Sequence, residues 1–326
     1  MFCQGRIAAP QPGQQDAGWV SDIFLPGGKV PTVGQTLRQP DLAGVIKRLA
    51  DHGLPGFYSG ETAKRLLAGV KAAGGIWTAD DLHRYTVVER DRFVWIWMGP
   101  PDLADAAQIP DFFWHNHPQW RMKPGYIHYQ AHYQLVVDNL LDFSHLSFVH
   151  PTTLGTASNA QVRAKIERLA EGPGGAGLRI TRWYIDDEMS PNHKRVAPFQ
   201  GKVDRWQIYE WHAPAFLRMD AGSAPAGTGA PEGTRVPQAL QFRHTSVQTP
   251  ESSGTTHYFF CQAHHFMLDQ PDITEAIFQD VVKAFAEDRS IIEAQQRNLN
   301  LDPFFKPVAT AHDSGLNQAR FIIKRR

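Results

Sequence analysis

Asn139-Leu-Leu-Asp-Phe-Ser-His-Leu-Ser-Phe-Val-His150, with Pro151 behind it, is the stretch on which the reading of this chain turns. It reads as the last turns of an apolar helix in which Asn139, Asp142 and His145 recur at three-residue spacing and so share one side. A polar stripe in an oily segment asks for a buried partner. His145 and His150 are five apart, about 140° around a continued helix, and would point in different directions. Pro151 changes that, because the residue before a proline is pushed out of the α region. The helix is expected to end near His150, letting the second ring swing toward the first.

Two imidazoles need a third ligand to hold iron(II) in the two-His-one-carboxylate arrangement, which leaves coordination positions open. The candidate is Asp288, in the helical run Ala284-Phe-Ala-Glu-Asp-Arg-Ser-Ile-Ile-Glu-Ala-Gln-Gln296. Its helix would have to pack beside the first. Plainer readings stand beside this one. The chain has 15 histidines, and a lone histidine on an apolar helix is more often a hydrogen-bonded core residue than a ligand. Asp288 alone reads equally as a solvated acid next to Glu287. His115, His117, His128, His132, His257, His264 and His265 are read as structural.

Outward from this stretch, 326 residues allow one large domain or two. Thirty-three basic and 33 acidic residues cancel, so nothing points to a nucleic-acid partner. No run of eighteen apolar residues marks a membrane span, and the N-terminus lacks the apolar core of a signal peptide. Two cysteines, Cys3 and Cys261, make no disulfide framework. The expectation is a soluble protein of the reducing cytoplasm.

Residues 1–21, rich in Gly, Pro and Gln, read as a poorly ordered lead-in. Helical patterns follow at 40–50 and 60–73, and Thr78-Ala-Asp-Asp81 reads as a capping box. Residues 99–122, with Pro100, Pro101, Pro110 and Pro118 among aromatics, read as an extended linker. Strand signals then come in succession at 126–133, 161–167, 177–185, 203–210, 216–221, 238–248 and 255–264, before a long helix at about 272–298. Strands with few helices between them argue for an α+β chain with an antiparallel sheet. Residues 189–199 and 222–233, rich in Pro or Gly, read as loops long enough to serve as lids.

At this point the motifs Asn-x-x-Asp-x-x-His-x4-His and Glu-Asp-x4-Glu-Ala-Gln-Gln resemble the catalytic domain of the Rieske non-haem iron oxygenases, closest to vanillate O-demethylase oxygenase subunits. Arg92-Phe-Val-Trp-Ile-Trp-Met-Gly99, Val203-Asp-Arg-Trp-Gln207, the 222–233 segment and Thr255-Thr-His-Tyr-Phe259 agree with it in order. The resemblance covers roughly residues 86–326. It implies a helix-grip (START-like) fold with mononuclear Fe(II) on His145, His150 and Asp288 at the floor of a ligand cavity. Asp142 would pass electrons from a neighbouring subunit's cluster to an iron ligand, or else orient His145, with Asn139 behind it. Further implied are O2, an electron-donating reductase, a homotrimer, and a methoxy-aromatic acid such as vanillate that is O-demethylated or hydroxylated.

The family also carries a [2Fe-2S] cluster on Cys-x-His and Cys-x-x-His. Cys3 is followed by Gln4 and Gly5, and Cys261-Gln-Ala-His264 lies in a strand-like run. The cluster ligands are therefore expected to be absent from this chain and its activity impaired. Residues 22–85 resemble a different family, the gamma-glutamyltranspeptidase large subunit, through Phe24-Leu-Pro-Gly-Gly28, Gln39-Pro-Asp-Leu-Ala43, Phe57-Tyr-Ser-Gly-Glu61, Gly74-Gly75 and Asp80-Asp-Leu-x-x-Tyr85. That family's threonine nucleophile has no counterpart here. The organisation expected is a lead-in (1–21), a helical transpeptidase-like fragment (22–85), a remnant strand and linker (86–122) and a mononuclear-iron catalytic domain (123–326), as in a chimera. The alternative is a metal-free helix-grip module that binds an aromatic or hydrophobic ligand.

Overall fold

Seven strands whose side chains alternate between two faces pair into one antiparallel sheet. In chain order they are β3 (Arg121–Tyr129), β4 (Lys165–Leu169), β5 (Gly177–Asp187), β6 (Val203–His212), β7 (Phe216–Pro225), β8 (Leu240–Pro250) and β9 (Thr256–His264). The spatial order is β3-β9-β8-β7-β6-β5-β4, so β4 to β9 form a meander and β3 closes one edge. A separate hairpin precedes them, β1 (Thr86–Arg90) and β2 (Phe93–Trp97). This computed structural model describes residues 23–82, 85–170, 176–302, 304–305, 308 and 310–325. The lead-in and Cys3 lie outside the described residues. The chain divides between Tyr85 and Thr86 into two compact units, and its class is α+β.

In the first unit, α1 (Pro40–His52), α2 (Pro55–Tyr58) and α3 (Gly60–Ala72) pack through a small polar joint. Arg48 Nε donates to Thr62 Oγ1 at 2.7 Å, and that hydroxyl donates to the Gly56 carbonyl at 2.6 Å. Gly56 allows the approach, since a Cβ there would lie 2.1 Å from the Arg48 carbonyl oxygen. Thr78 and Asp81 form the capping box expected of them. Leu42, Ile46, Ile76 and Trp77 are exposed.

The second unit is organised by α7 (Pro271–Leu301), which carries Ile277, Phe278, Val281, Ala284, Phe285, Asp288 and Ile292 at three- and four-residue spacing on its buried side. Phe278 stacks on Phe260 of β9 at 5.8 Å between ring centroids, and Phe285 meets Phe260 edge-on at 4.9 Å. Burying each such ring contributes about 1.5–3 kcal/mol. Helix α4 (Tyr133–Leu141) and the short α5 (Leu146–Val149) lie against α7. Short α6 (Pro191–Val196) and α8 (Ser314–Lys324) complete the unit.

Several expectations need correction. The polar stripe does not ride on one helix: α4 stops at Leu141, and Asp142 is extended, at φ −118° and ψ 92°. The Asp142 carboxylate takes Ser144 N–H at 2.9 Å, capping a 3-10 turn at Phe143–His145 in place of continuing the helix. Of the linker at 99–122, residues 99–109 stay mostly exposed, but Phe112, Trp114 and Trp120 are buried against Val247, Cys261 and Ala263 of β8 and β9. The single remnant strand expected at the start of 86–122 is two strands and a turn, Asp91 and Arg92 both taking positive φ. Strand β3 begins five residues earlier than its apolar pattern suggests. It holds Pro124, which an edge strand tolerates, and Gly125, where a Cβ would lie 2.1 Å from the Phe260 ring. Residues 222–225 belong to β7, and the 189–199 loop folds in part as α6.

Candidate metal centre

The break at Asp142 is what aims the first histidine. After it, the chain turns so that His145 Nδ1–H donates back to the Asp142 carbonyl, leaving Nε2 directed at Asp288 Oδ1, 3.6 Å away. Helix α5 ends at Val149, and His150, at φ −119° and ψ 41°, is its cap ahead of Pro151. Its Nδ1–H donates to Glu287 Oε2 at 2.7 Å, and its Nε2 lies 3.0 Å from Asp288 Oδ1. The two rings stand 5.3 Å apart. Asn139, on the last turn of α4, donates to the same Asp288 oxygen at 3.1 Å.

One ligand atom each from His145, His150 and Asp288 therefore falls within 4.8 Å of the others. Asp288 is 3 % exposed on the apolar side of α7, and His150 is 1 % exposed. A carboxylate in that setting needs a cation or several donors. Burial holds the His145 ring below its ordinary pKa, despite the opposing charge of Asp288, which keeps it neutral and its Nε2 lone pair free. Burial also depresses His150, but the hydrogen bonds and charges of Asp288 and Glu287 outweigh it and raise the ring's pKa. Two carboxylates thus favour positive charge at this spot, which a divalent cation between the three donors would supply. Nitrogen donors held through Nδ1 by a carbonyl and a carboxylate are the usual setting of metal-binding imidazoles. The donor set fits iron(II).

The sequence reading missed three residues here. Glu287 was named only as the neighbour of Asp288, although it holds His150. Glu293 and Gln296, one and two turns on, accept from the backbone N–H groups of Gln130 (3.0 Å) and His132 (2.9 Å) and tie α7 to the β3–α4 connection. The recurrence of acids and amides at 287, 293 and 296 was the available signal. Asp142 orients His145 by its main-chain oxygen, not by its carboxylate, which is taken by the Ser144 N–H and hydroxyl.

A cavity has these donors in its wall. Phe143, Leu146, Met219, Phe242, Val281 and Phe285 make it apolar, while Arg205, His193 and Asn192 give it a polar part. Burial drives the His193 ring down to about 3. Arg205 is held by Asp187 at 2.7 Å.

Residues 129–326 match the family model described as the vanillate O-demethylase oxygenase C-terminal domain. The chain belongs to this family. It is thereby an oxygenase-class enzyme domain of the non-haem iron type. The chain is 61% identical over 241 residues to the toluene-4-sulfonate monooxygenase system iron-sulfur subunit of Comamonas testosteroni, covering 74% of this chain and 69% of that protein. It is 33% identical over 252 residues to a vanillate O-demethylase oxygenase subunit of Pseudomonas sp., covering 74% and 68%. Among solved structures, dicamba monooxygenase bound to 3,6-dichlorosalicylic acid superposes with a TM-score of 0.65 at 27% identity, over 74% of this chain and 69% of that one. Residues 6–99 match the gamma-glutamyltranspeptidase model, further at both ends than the motifs suggested. A glutathione hydrolase of Aspergillus flavus is 40% identical over 73 residues, only 12% of its length.

Cys261 and His264 do not come together as a cluster pair. Three residues apart on β9, they project from opposite faces. The Cys261 thiol is buried and pushed far up in pKa by burial. Both nitrogens of His264 are engaged, with the Phe266 carbonyl and Thr274 Oγ1, each at 2.8 Å. Among the described residues, no helix is long and apolar enough to cross a membrane.

Proposed function

We propose that this chain is the catalytic part of an oxygenase in which His145, His150 and Asp288 hold one iron(II) and an aromatic anion bearing a methyl or methoxy group is oxidised beside it. The observation that carries this reading is the convergence of two neutral-capable Nε2 atoms and one buried carboxylate oxygen in the wall of a mostly apolar cavity. The sheet with α7 laid over it reads as the helix-grip fold.

Bound iron(II) with open coordination positions supplies oxygen activation and oxidation of a C–H bond. What the residues contribute follows from their contacts. His145 and His150 offer Nε2, each ring held in one orientation through Nδ1. Asp288 supplies the charge and is steadied by Asn139. Phe143, Phe242 and Phe285 give an aromatic ring apolar walls and keep water out, and the part of the cavity with Arg205, His193 and Asn192 receives the anionic group. A sulfonate is favoured over vanillate by the closer likeness to the toluene-4-sulfonate relative. Neither of the chain's two cysteines stands in the family's Cys-x-His motif, since Cys3 is followed by Gln4 and Gly5, and Cys261 and His264 project from opposite faces of β9. Electrons then come from another chain or a chemical reductant.

Anaerobic metal analysis tests this reading. The expected result is about one iron(II) per chain, lost in His145→Ala and in Asp288→Ala, and calorimetric binding of toluene-4-sulfonate. Iron retained by both variants would overturn the ligand assignment. Ligand binding indifferent to iron and to both substitutions would favour a metal-free binding module.

A further inference from the structure

A second group of ligating side chains stands on the outer face of the sheet, at its β3 edge. His128 on β3 and His257 on β9 are direct cross-strand partners, and their rings lie 5.0 Å apart. Glu251, in the turn between β8 and β9, reaches over both: its Oε2 is 2.7 Å from His128 Nε2 and its Oε1 is 3.6 Å from His257 Nε2. One ligand atom from each lies within 4.8 Å of the others. Each ring is also held from behind, His257 Nδ1 by the Tyr126 hydroxyl at 2.7 Å and His128 Nδ1 by the Gln130 side-chain amide at 3.3 Å.

We propose that His128, Glu251 and His257 form a second divalent-cation site, of the zinc class, within one chain. Two imidazole nitrogens and one carboxylate are three protein ligands of the kind zinc takes, with water completing a tetrahedron. The Tyr126 hydroxyl can accept from His257 Nδ1–H, which frees that ring's Nε2 lone pair, whereas Gln130 Nε2–H donates to His128 Nδ1, so the His128 Nε2 proton leaves as the metal binds. All three side chains are partly exposed, so the cation can enter from solvent. It would pin the β8–β9 turn to the sheet edge. Cross-strand histidines are held at ligand spacing by the pairing itself and need no rearrangement.

The test is a calorimetric titration of the metal-free full chain with zinc(II), beside a His128→Ala/His257→Ala double variant and, separately, His145→Ala. The native chain is expected to bind one equivalent more than the double variant, affinity at that site falling at least 100-fold, while His145→Ala keeps that equivalent. Zinc is expected to raise the Tm of His145→Ala, and this rise is lost when the two outer histidines are also removed. Since both outer rings are partly exposed, the double variant should melt as the native chain does without zinc. Equal zinc uptake by the native chain and double variant, or loss of the extra equivalent in His145→Ala, overturns the proposal. A half-equivalent bound with dimer formation overturns the single-chain site.

Discussion

Glu287 and Asp142 both hold a histidine of the candidate centre, but by different atoms, and their substitutions should therefore differ. Glu287 uses its carboxylate on His150 Nδ1. Glu287→Ala is expected to weaken iron(II) binding roughly 10–100-fold, the usual cost of removing such a partner. Asp142 holds His145 with its main-chain oxygen, which no side-chain change removes. Asp142→Ala should keep iron affinity within about tenfold and lower stability by about 1 kcal/mol, the value of an N-cap. Metal titrations and denaturant melts of the two variants side by side separate the cases. A larger metal defect in Asp142→Ala than in Glu287→Ala would mean that its carboxylate, not its carbonyl, matters to the centre. At this scale the sequence was legible for His145, His150 and Asp288 through their motifs. Glu287 was not, because its polar neighbourhood resembles any solvated helix face until His150 is placed against it.

Among the elements, α5 and the loop behind it decide where His150 sits. Gly155 N–H donates to the His150 carbonyl at 2.9 Å, and a Cβ at 155 would lie 1.9 Å from the Leu146 carbonyl oxygen. Backbone cannot yield as a side-chain tip does. Gly155→Ala is therefore expected to shift α5, cost about 1–3 kcal/mol as overpacking does, and weaken iron binding in the same variant. Lost stability with unchanged iron affinity would show that α5 moves without carrying His150. The helix break at Asp142 and the burial of Phe112, Trp114 and Trp120 escaped the periodicity reading for related reasons. A capping aspartate also fits a helix interior stripe, and aromatics among prolines give no period at all. Helix α8 went unseen because nothing in its residues carries chemistry, yet a Cβ added at its Gly315 would lie 3.3 Å from the Leu141 carbonyl oxygen, and its Arg320 pairs with Asp138 of α4.

On the scale of the whole molecule, the sheet's other face is tied by ions. The His212 ring, 3.8 Å away, and the guanidinium groups of Arg179 and Arg218 hold the Glu210 carboxyl well below the usual carboxylate range. A depressed folded-state pKa adds stability above the unfolded value of about 4.5, and this is lost as pH falls below it, when the unfolded chain takes up a proton first. The second unit should therefore lose stability between about pH 5 and pH 2, and Glu210→Gln should flatten that slope while lowering stability at pH 7. Thermal melts across this range check it. An unchanged slope in Glu210→Gln would assign the acid sensitivity to other carboxylates.

The sequence by itself determined the α+β class, since alternation and helical spacing are local properties of the chain. It also determined which donor types were on offer: two imidazoles five residues apart and an acid far downstream. What only the tertiary structure decided is which donors meet. His150 and Asp288 lie 138 positions apart, and no local rule carries a contact over that distance. His128 and His257 became neighbours for the same reason, through strand pairing across 129 positions (257 − 128). Long-range packing chose among fifteen chemically equal rings, turning some toward a buried carboxylate and others toward the sheet edge.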